Sequence, residues 1–159
     1  QRALGWKWGV VVLLGDLAKG ALAVVVARGL DAGQTAEAIA GAAAVIGHCW
    51  PIWLRFRGGK GVATGAGAAV ALSPWALLLI PIVVIPIALT RYVSLGSLIG
   101  ALGGIVVFGV LSAVGTEPFA TVAFAAIAAV VIWVKHRGNI ERLIDGTERK
   151  IGNRSPAGS

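Results

Sequence analysis

Three polar groupings interrupt an otherwise apolar chain, and their residue types suit the handling of anions. The densest is GHCWPIWLRFRGGKGVATGAG at 47–67, where His48 and three cations accompany a Gly58-Gly59-Lys60-Gly61 turn. Glycines strip side chains from a backbone, so its N–H groups can turn toward an anion. Lys60 adds a mobile positive charge among them. A helix beginning just after Gly61 would aim its N-terminal N–H groups at the same ligand. The turn lacks the GxxxxGK[ST] spacing and no strand precedes it, so it is not a Walker A loop. A second reading of the same residues is a flexible loop carrying the positive charge that membrane proteins keep on one side. Local sequence leaves both readings open.

The second grouping is His136 and Asn139, three residues apart beside Lys135 and Arg137. A neutral imidazole there can give or take a proton near neutral pH; equally, its amphipathic ring can anchor at a membrane surface. The third grouping is Asp16 and Lys19, on one face of an apolar helix. They form either a structural ion pair or part of the wall of a polar cavity. Two basic groupings converging between helices suit a ligand with one or two phosphates and a lipid tail. His48 and Cys49 are adjacent and so point apart on a helix, which argues against a Cys-His nucleophile pair. Cys49 is the sole cysteine and the two histidines are distant from each other, so no metal-ligand spacing exists. Neither a metal nor a cofactor is expected. No GxSxG elbow is present.

Membrane helices are expected to carry these groups. Of the 159 residues 57% are hydrophobic and 13% charged, with a mean hydropathy of +0.86. Soluble domains carry about 25% charged residues, so lipid is the expected solvent. The formal net charge of +7 sits in short clusters without a continuous basic face, which excludes nucleic acid as the natural partner. Trp6, Lys7 and Trp8 anchor a first span over 9–27, and a second runs from Ala36 through the 47–51 region. An apolar run over 62–89 is broken at Ser73-Pro74-Trp75, and further spans cover 93–113 and 119–134. With a hinge at Ser73-Pro74, twelve of the 14 lysines and arginines fall on one side, leaving Arg28 on the other and Lys19 within a span. The pattern predicts an all-α, polytopic integral membrane helix bundle of about six membrane helices with both ends cytoplasmic. Its bundle covers 1–134 and its candidate phosphate-binding loop 47–67. The segment 62–72 is short for a crossing and is expected to be short or re-entrant. Ile140, Leu143 and Ile144 mark an amphipathic cytoplasmic motif within 135–152, stopped by Gly146. Residues 153–159 read as a disordered tail.

Three stretches resemble the motifs of the acyl-phosphate:glycerol-3-phosphate acyltransferase (PlsY) family of bacterial membranes. They are RALGWKWGVVVLLGDLAKG at 2–20, GHCWPIWLRFRGGKGVAT at 47–64 and HRGNIERLIDGTERK at 136–150. The resemblance covers essentially the whole chain. It implies a seven-helix fold, of which this chain holds six, in the bacterial inner membrane with the active site facing the cytoplasm. It implies acyl transfer from acyl-phosphate to glycerol-3-phosphate, giving lysophosphatidic acid and phosphate, by a monomer. Carried over by position, Arg2, Lys60, His136 and Asn139 are implied as catalytic. Gly58, Gly59, Lys60, Gly61, Thr64, Ser97 and His48 are implied for substrate and phosphate binding, and Asp16, Lys19 and Glu148 as structural polar residues. The family's first motif starts with Gly-Ser-Gly-Asn after a membrane helix. Neither precedes Arg2 and the chain lacks methionine, so the sequence reads as starting inside a longer frame. The alternatives are a non-enzymatic phosphate-lipid binder or carrier, or an inactive part of the enzyme.

Overall fold

A computed structural model describes residues 5–152; Arg2 and the 153–159 tail lie outside the described residues. Among the described residues the chain is all helical. Its α-helices are α1 (Gly5–Gly29), α2 (Gly33–Cys49), α3 (Val62–Leu72), α4 (Leu79–Thr90), α5 (Val93–Ala113), α6 (Phe119–Lys135) and α7 (Arg137–Ile144). Trp6–Gly29, Gly33–Leu54 and Val93–Ala113 are long and apolar enough to cross a membrane, and α6 together with α7, bent from it by 62°, makes a fourth candidate. The other two of the six expected membrane helices correspond to the shorter apolar segments Val62–Leu72 and Pro74–Thr90, each below the length of a full span.

The reversal at Ser73 is fixed by local chemistry. The Ser73 hydroxyl accepts from the Trp75 N–H at 3.2 Å, and Pro74 occupies the first position of the following 3-10 turn. The same hydroxyl donates to Glu117 Oε1 at 2.6 Å, in the turn between α5 and α6. At this end Arg28 also donates to Glu37 Oε2 at 2.6 Å and to the Ala71 carbonyl at 2.8 Å. The far end of α4 returns to the opposite end, where the Arg91 carbonyl accepts from the Ile151 N–H at 2.9 Å. The hinge inferred from charge is therefore a real reversal, with Arg91 beside the C-terminal segment.

Helix α3 is short because it begins inside the bundle. An ideal Cβ on Gly20 would lie 2.0 Å from the Thr64 carbonyl oxygen, and one on Gly67 would lie 2.0 Å from that of Leu17. Thr64–Ala68, in the middle of α3, thus crosses Leu17–Gly20 of α1. Gly20 is about 12 residues, or ~18 Å of helix, in from Trp8. The 11 residues of α3 carry the chain past this crossing to Ser73. Around this crossing the core is built from small side chains, including Ala38, Ala42, Ala68 and Ala128, with Phe108 and Phe124 filling the gaps. In lipid, such close approach replaces the hydrophobic effect as the source of helix association.

Adding a methyl group at Gly20 or Gly67 must therefore push α1 and α3 apart. Gly20→Ala is expected to cost about 1–3 kcal/mol, the usual penalty of overpacking, seen as a lower thermal midpoint by tryptophan fluorescence in detergent. Gly109→Ala, with nothing within 4 Å, should melt like the unaltered protein.

Candidate active site

The glycine turn is held down by the end of α2. The N–H groups of Gly58 and Gly59 donate to the Cys49 and His48 carbonyls, each at 3.2 Å. The last carbonyls of a helix need external donors, and these glycines supply them. Lys135 adds a third bond, from Nζ to the Cys49 carbonyl at 2.9 Å, with its ammonium 5.2 Å from the Trp50 ring centroid. The expectation that Gly58 and Gly59 turn their N–H groups toward an anion is therefore corrected: those donors are occupied. The donors left for a ligand belong to the first turn of α3, entered through Gly61 at φ +83°.

The turn borders a polar cavity of ≈ 1250 Å³ between α1, α3, α5 and the α6–α7 bend. Lys60, Asn139, His136, Ser97, His48 and Asp16 all line it, as do Gly59 and Gly61. Thr64 does not. It is wholly buried at the α1–α3 crossing and its hydroxyl has no partner there, because the helical turn from Gly61 rotates it away from the opening. Ser97 reaches the cavity but commits its hydroxyl proton to the Val93 carbonyl at 2.9 Å, so it faces a ligand as an acceptor. Lys19 lies behind His48, on the wall of a neighbouring cavity of ≈ 360 Å³.

One chain of hydrogen bonds sets the charge at Lys60. Glu148 Oε1 accepts from Ser94 Oγ at 2.7 Å and from Asn139 Nδ2 at 2.6 Å, while Oε2 accepts from Arg142 Nε at 2.8 Å. A carboxylate only accepts, so the amide of Asn139 must turn its NH₂ to Glu148 and its oxygen to Lys60. Lys60 Nζ donates to that oxygen at 2.6 Å. Among the described residues Lys60 forms no ion pair, although Asp16 is paired with Lys19 and Glu148 with Arg142. The ammonium therefore meets the cavity oriented by a neutral group, with its charge uncancelled by a contacting carboxylate. Burial pushes the Lys60 ammonium below the ordinary lysine value, opposed by Glu148 and assisted by Arg142. For Glu148, burial pushes upward, yet the bonds from Ser94, Asn139 and Arg142 together hold it below the usual carboxylate value.

His136 caps α6 and is 2% exposed. Its Nδ1 lies 2.8 Å from the Ile132 carbonyl, which can only accept, so Nδ1 carries the proton and Nε2 is left as the acceptor. Burial lowers its pKa first, with Lys60 adding to that and the Ile132 bond and Glu148 opposing it; the net shift is downward. Ser94 and Arg142 enter the site through Glu148. Their link to Glu148 spans 54 and 6 positions, and only the fold shows it. Thr147 and Arg149 also line the cavity.

Two apolar spaces adjoin this polar one. A groove of ≈ 710 Å³ between α1, α3 and α4 shares Leu17, Val62 and Ala66 with it, and a narrow cavity of ≈ 100 Å³ shares Val62, Ala66 and Ser97.

A family profile described as "Glycerol-3-phosphate acyltransferase" matches residues 1–146. The chain is 41% identical over 163 residues to the glycerol-3-phosphate acyltransferase of Rubrobacter xylanophilus, covering 99% of this chain and 78% of that protein. It is 45% identical over 156 residues to that of Halalkalibacterium halodurans, covering 96% and 76%. Among solved structures it resembles PlsY, an integral membrane glycerol 3-phosphate acyltransferase. The glycerol 3-phosphate form aligns with a TM-score of 0.83 at 34% identity, over 95% of this chain and 74% of that one. The lysophosphatidic acid form aligns with a TM-score of 0.82, over 95% and 76%.

Removing the Glu148 carboxylate strands Ser94, Asn139 and Arg142 at once. Glu148→Ala should destabilise the protein by about 1–3 kcal/mol and speed tryptic cleavage after Arg149 and Lys150. Because the folded-state value is depressed, this stabilisation is complete above the ordinary carboxylate pKa of about 4.3. It is lost as the pH falls through the lower folded value. Thermal midpoints of both proteins measured across acidic pH should therefore converge.

Proposed function

The chain belongs to the glycerol-3-phosphate acyltransferase family, and we propose how its cavity performs the transfer. The acyl donor is acyl-phosphate, the acceptor is glycerol-3-phosphate, and the products are lysophosphatidic acid and inorganic phosphate. The observation that carries this reading is the shared wall of Leu17, Val62 and Ala66 between the polar cavity and the apolar groove, which suits a ligand with an anionic head and an acyl tail. The phosphates lie against Lys60 and the N-terminus of α3; the family resemblance adds Arg2, which lies outside the described residues. The acyl chain lies along α3 and α4.

In the transfer, the glycerol hydroxyl oxygen forms a bond to the acyl carbonyl carbon and the bond from that carbon to the phosphate oxygen breaks. Acyl-phosphate is already activated, so no covalent enzyme intermediate is needed. The clamp supplies proximity and charge stabilisation. His136, with Nδ1–H committed to Ile132, offers Nε2 to the hydroxyl proton, and Asn139 keeps the Lys60 ammonium aimed at the departing phosphate. The protein acts in the bacterial inner membrane as a monomer, with the cavity and C-terminal segment on the cytoplasmic face, where the positive charge concentrates.

Purified protein in detergent or vesicles, given acyl-phosphate and labelled glycerol-3-phosphate, should form lysophosphatidic acid and should not do so with acyl-CoA. A protein that binds both substrates without turnover would be a carrier instead. Lys60→Ala should lower kcat/KM by roughly 100-fold or more, the scale of losing one charge-stabilising donor. His136 must be neutral to accept a proton, so activity should be flat above about pH 6.5 and fall below it with an apparent pKa under that value. Full turnover by His136→Ala would move the proton to the departing phosphate.

A further inference from the structure

The back side of His48 is occupied by a group that determines which nitrogen carries its proton. Lys19 Nζ donates to Asp16 Oδ1 at 2.6 Å and also contacts His48 Nδ1. An ammonium has no lone pair, so a ring nitrogen facing it must be the acceptor. Asp16 Oδ1 is 3.4 Å from the same nitrogen, outside a normal charge-assisted bond, so the carboxylate serves Lys19 first. The ring proton then sits on Nε2. This nitrogen occupies the space a side chain on Gly59 would need, since an ideal Cβ there would lie 2.1 Å from it. His48 and Gly59 stand between the polar cavity and the neighbouring one of ≈ 360 Å³ and border both. The second histidine, His136, is held the opposite way, its Nδ1–H donating to the Ile132 carbonyl.

We propose that Lys19 and Asp16 are a positioning pair that holds His48 as a neutral Nε2–H donor to a substrate phosphate, so that His48 binds the anion while His136 accepts the proton. This rests on the phosphate-handling role assigned above. It also accounts for the ion pair within an apolar helix. Asp16 and Lys19 together present no net charge, and their effect on the cavity passes through the tautomer of one ring. Removing Lys19 leaves Asp16 as the nearest partner of Nδ1. A carboxylate accepts only, so the ring should reverse and lose its Nε2 proton.

The chain has two histidines, which makes the tautomers directly readable. Protein labelled with ¹⁵N-histidine, in bilayers at pH 7.5, is examined by NMR, with His136→Gln assigning the signals. The expected spectrum has a protonated Nε2 on His48 and a protonated Nδ1 on His136. Lys19→Met should reverse His48 alone, and Lys19→Arg, again donor-only, should preserve it. In the acyl-phosphate assay Lys19→Met should raise KM for a phosphate-bearing substrate roughly tenfold or more, with a smaller change in kcat and recovery in Lys19→Arg. An Nδ1–H or fully charged His48 in the unaltered protein, or an unchanged tautomer or KM in Lys19→Met, would overturn the proposal. The tautomer is read without turnover. A protein that made no lysophosphatidic acid yet showed the expected spectra would remove the enzymatic reading and leave His48 positioned as described.

Discussion

The site depends on the glycine turn being bound to the end of α2 below the level at which the first helix begins. The N–H groups of Gly58 and Gly59 meet the carbonyls of Cys49 and His48, and the approach is so close that any side chain at Gly58 would meet the His48 carbonyl oxygen at 2.0 Å. Only a residue without Cβ permits that contact. Once the turn is sunk there, α3 can be short, its N-terminus opens inside the bundle, and Lys60 emerges facing α5 and α7. The same constraint seats the His48 ring over Gly59. The turn thus builds the site by covering one helix end and exposing another.

Electrostatics within the bundle follow from that placement. Charges in the bilayer interior are costly unless they are paired or face a wet cavity. Both solutions occur here. Asp16 with Lys19 and Arg28 with Glu37 are ion pairs, the second at the end of the bundle opposite the cavity. Lys60 is left with a neutral partner, the Asn139 amide, whose orientation is imposed by Glu148. A phosphate entering the cavity would complete the coordination that the fold leaves open. Membership of a glycerol-3-phosphate acyltransferase family is consistent with a Lys60 charge that has no ion pair among the described residues.

Much of this architecture is legible in the sequence because it obeys simple periodicities and charge rules. The break at Ser73-Pro74 follows from the clustering of cations, and the Ser73–Glu117 bond shows the resulting reversal. The helix stop at Gly146 appears as a φ of +68°. Asp16 and Lys19, three residues apart, do pair on one face. The site itself was legible in residue types and less so in direction. A glycine-rich turn shows that the backbone can approach something closely, and here that partner is another helix. The resemblance implies Thr64 as a phosphate contact, yet the helical phase that brings Gly61 to the cavity buries Thr64 against α1. Ser94 and Arg142 depend on a carboxylate brought in by the C-terminal segment, a pairing with no local spacing to announce it.

In the proposed site the anion sits between Lys60 and the first turn of α3, with Gly58 and Gly59 engaged elsewhere. A structure of the protein with glycerol-3-phosphate bound would decide this. Phosphate oxygens are expected within hydrogen-bond distance of Lys60 Nζ and of N–H groups at the start of α3, while the Gly58 and Gly59 bonds to α2 remain intact. A phosphate seated on the exposed Arg55 and Arg57, or one that draws the Gly58 and Gly59 N–H groups away from α2, would overturn it.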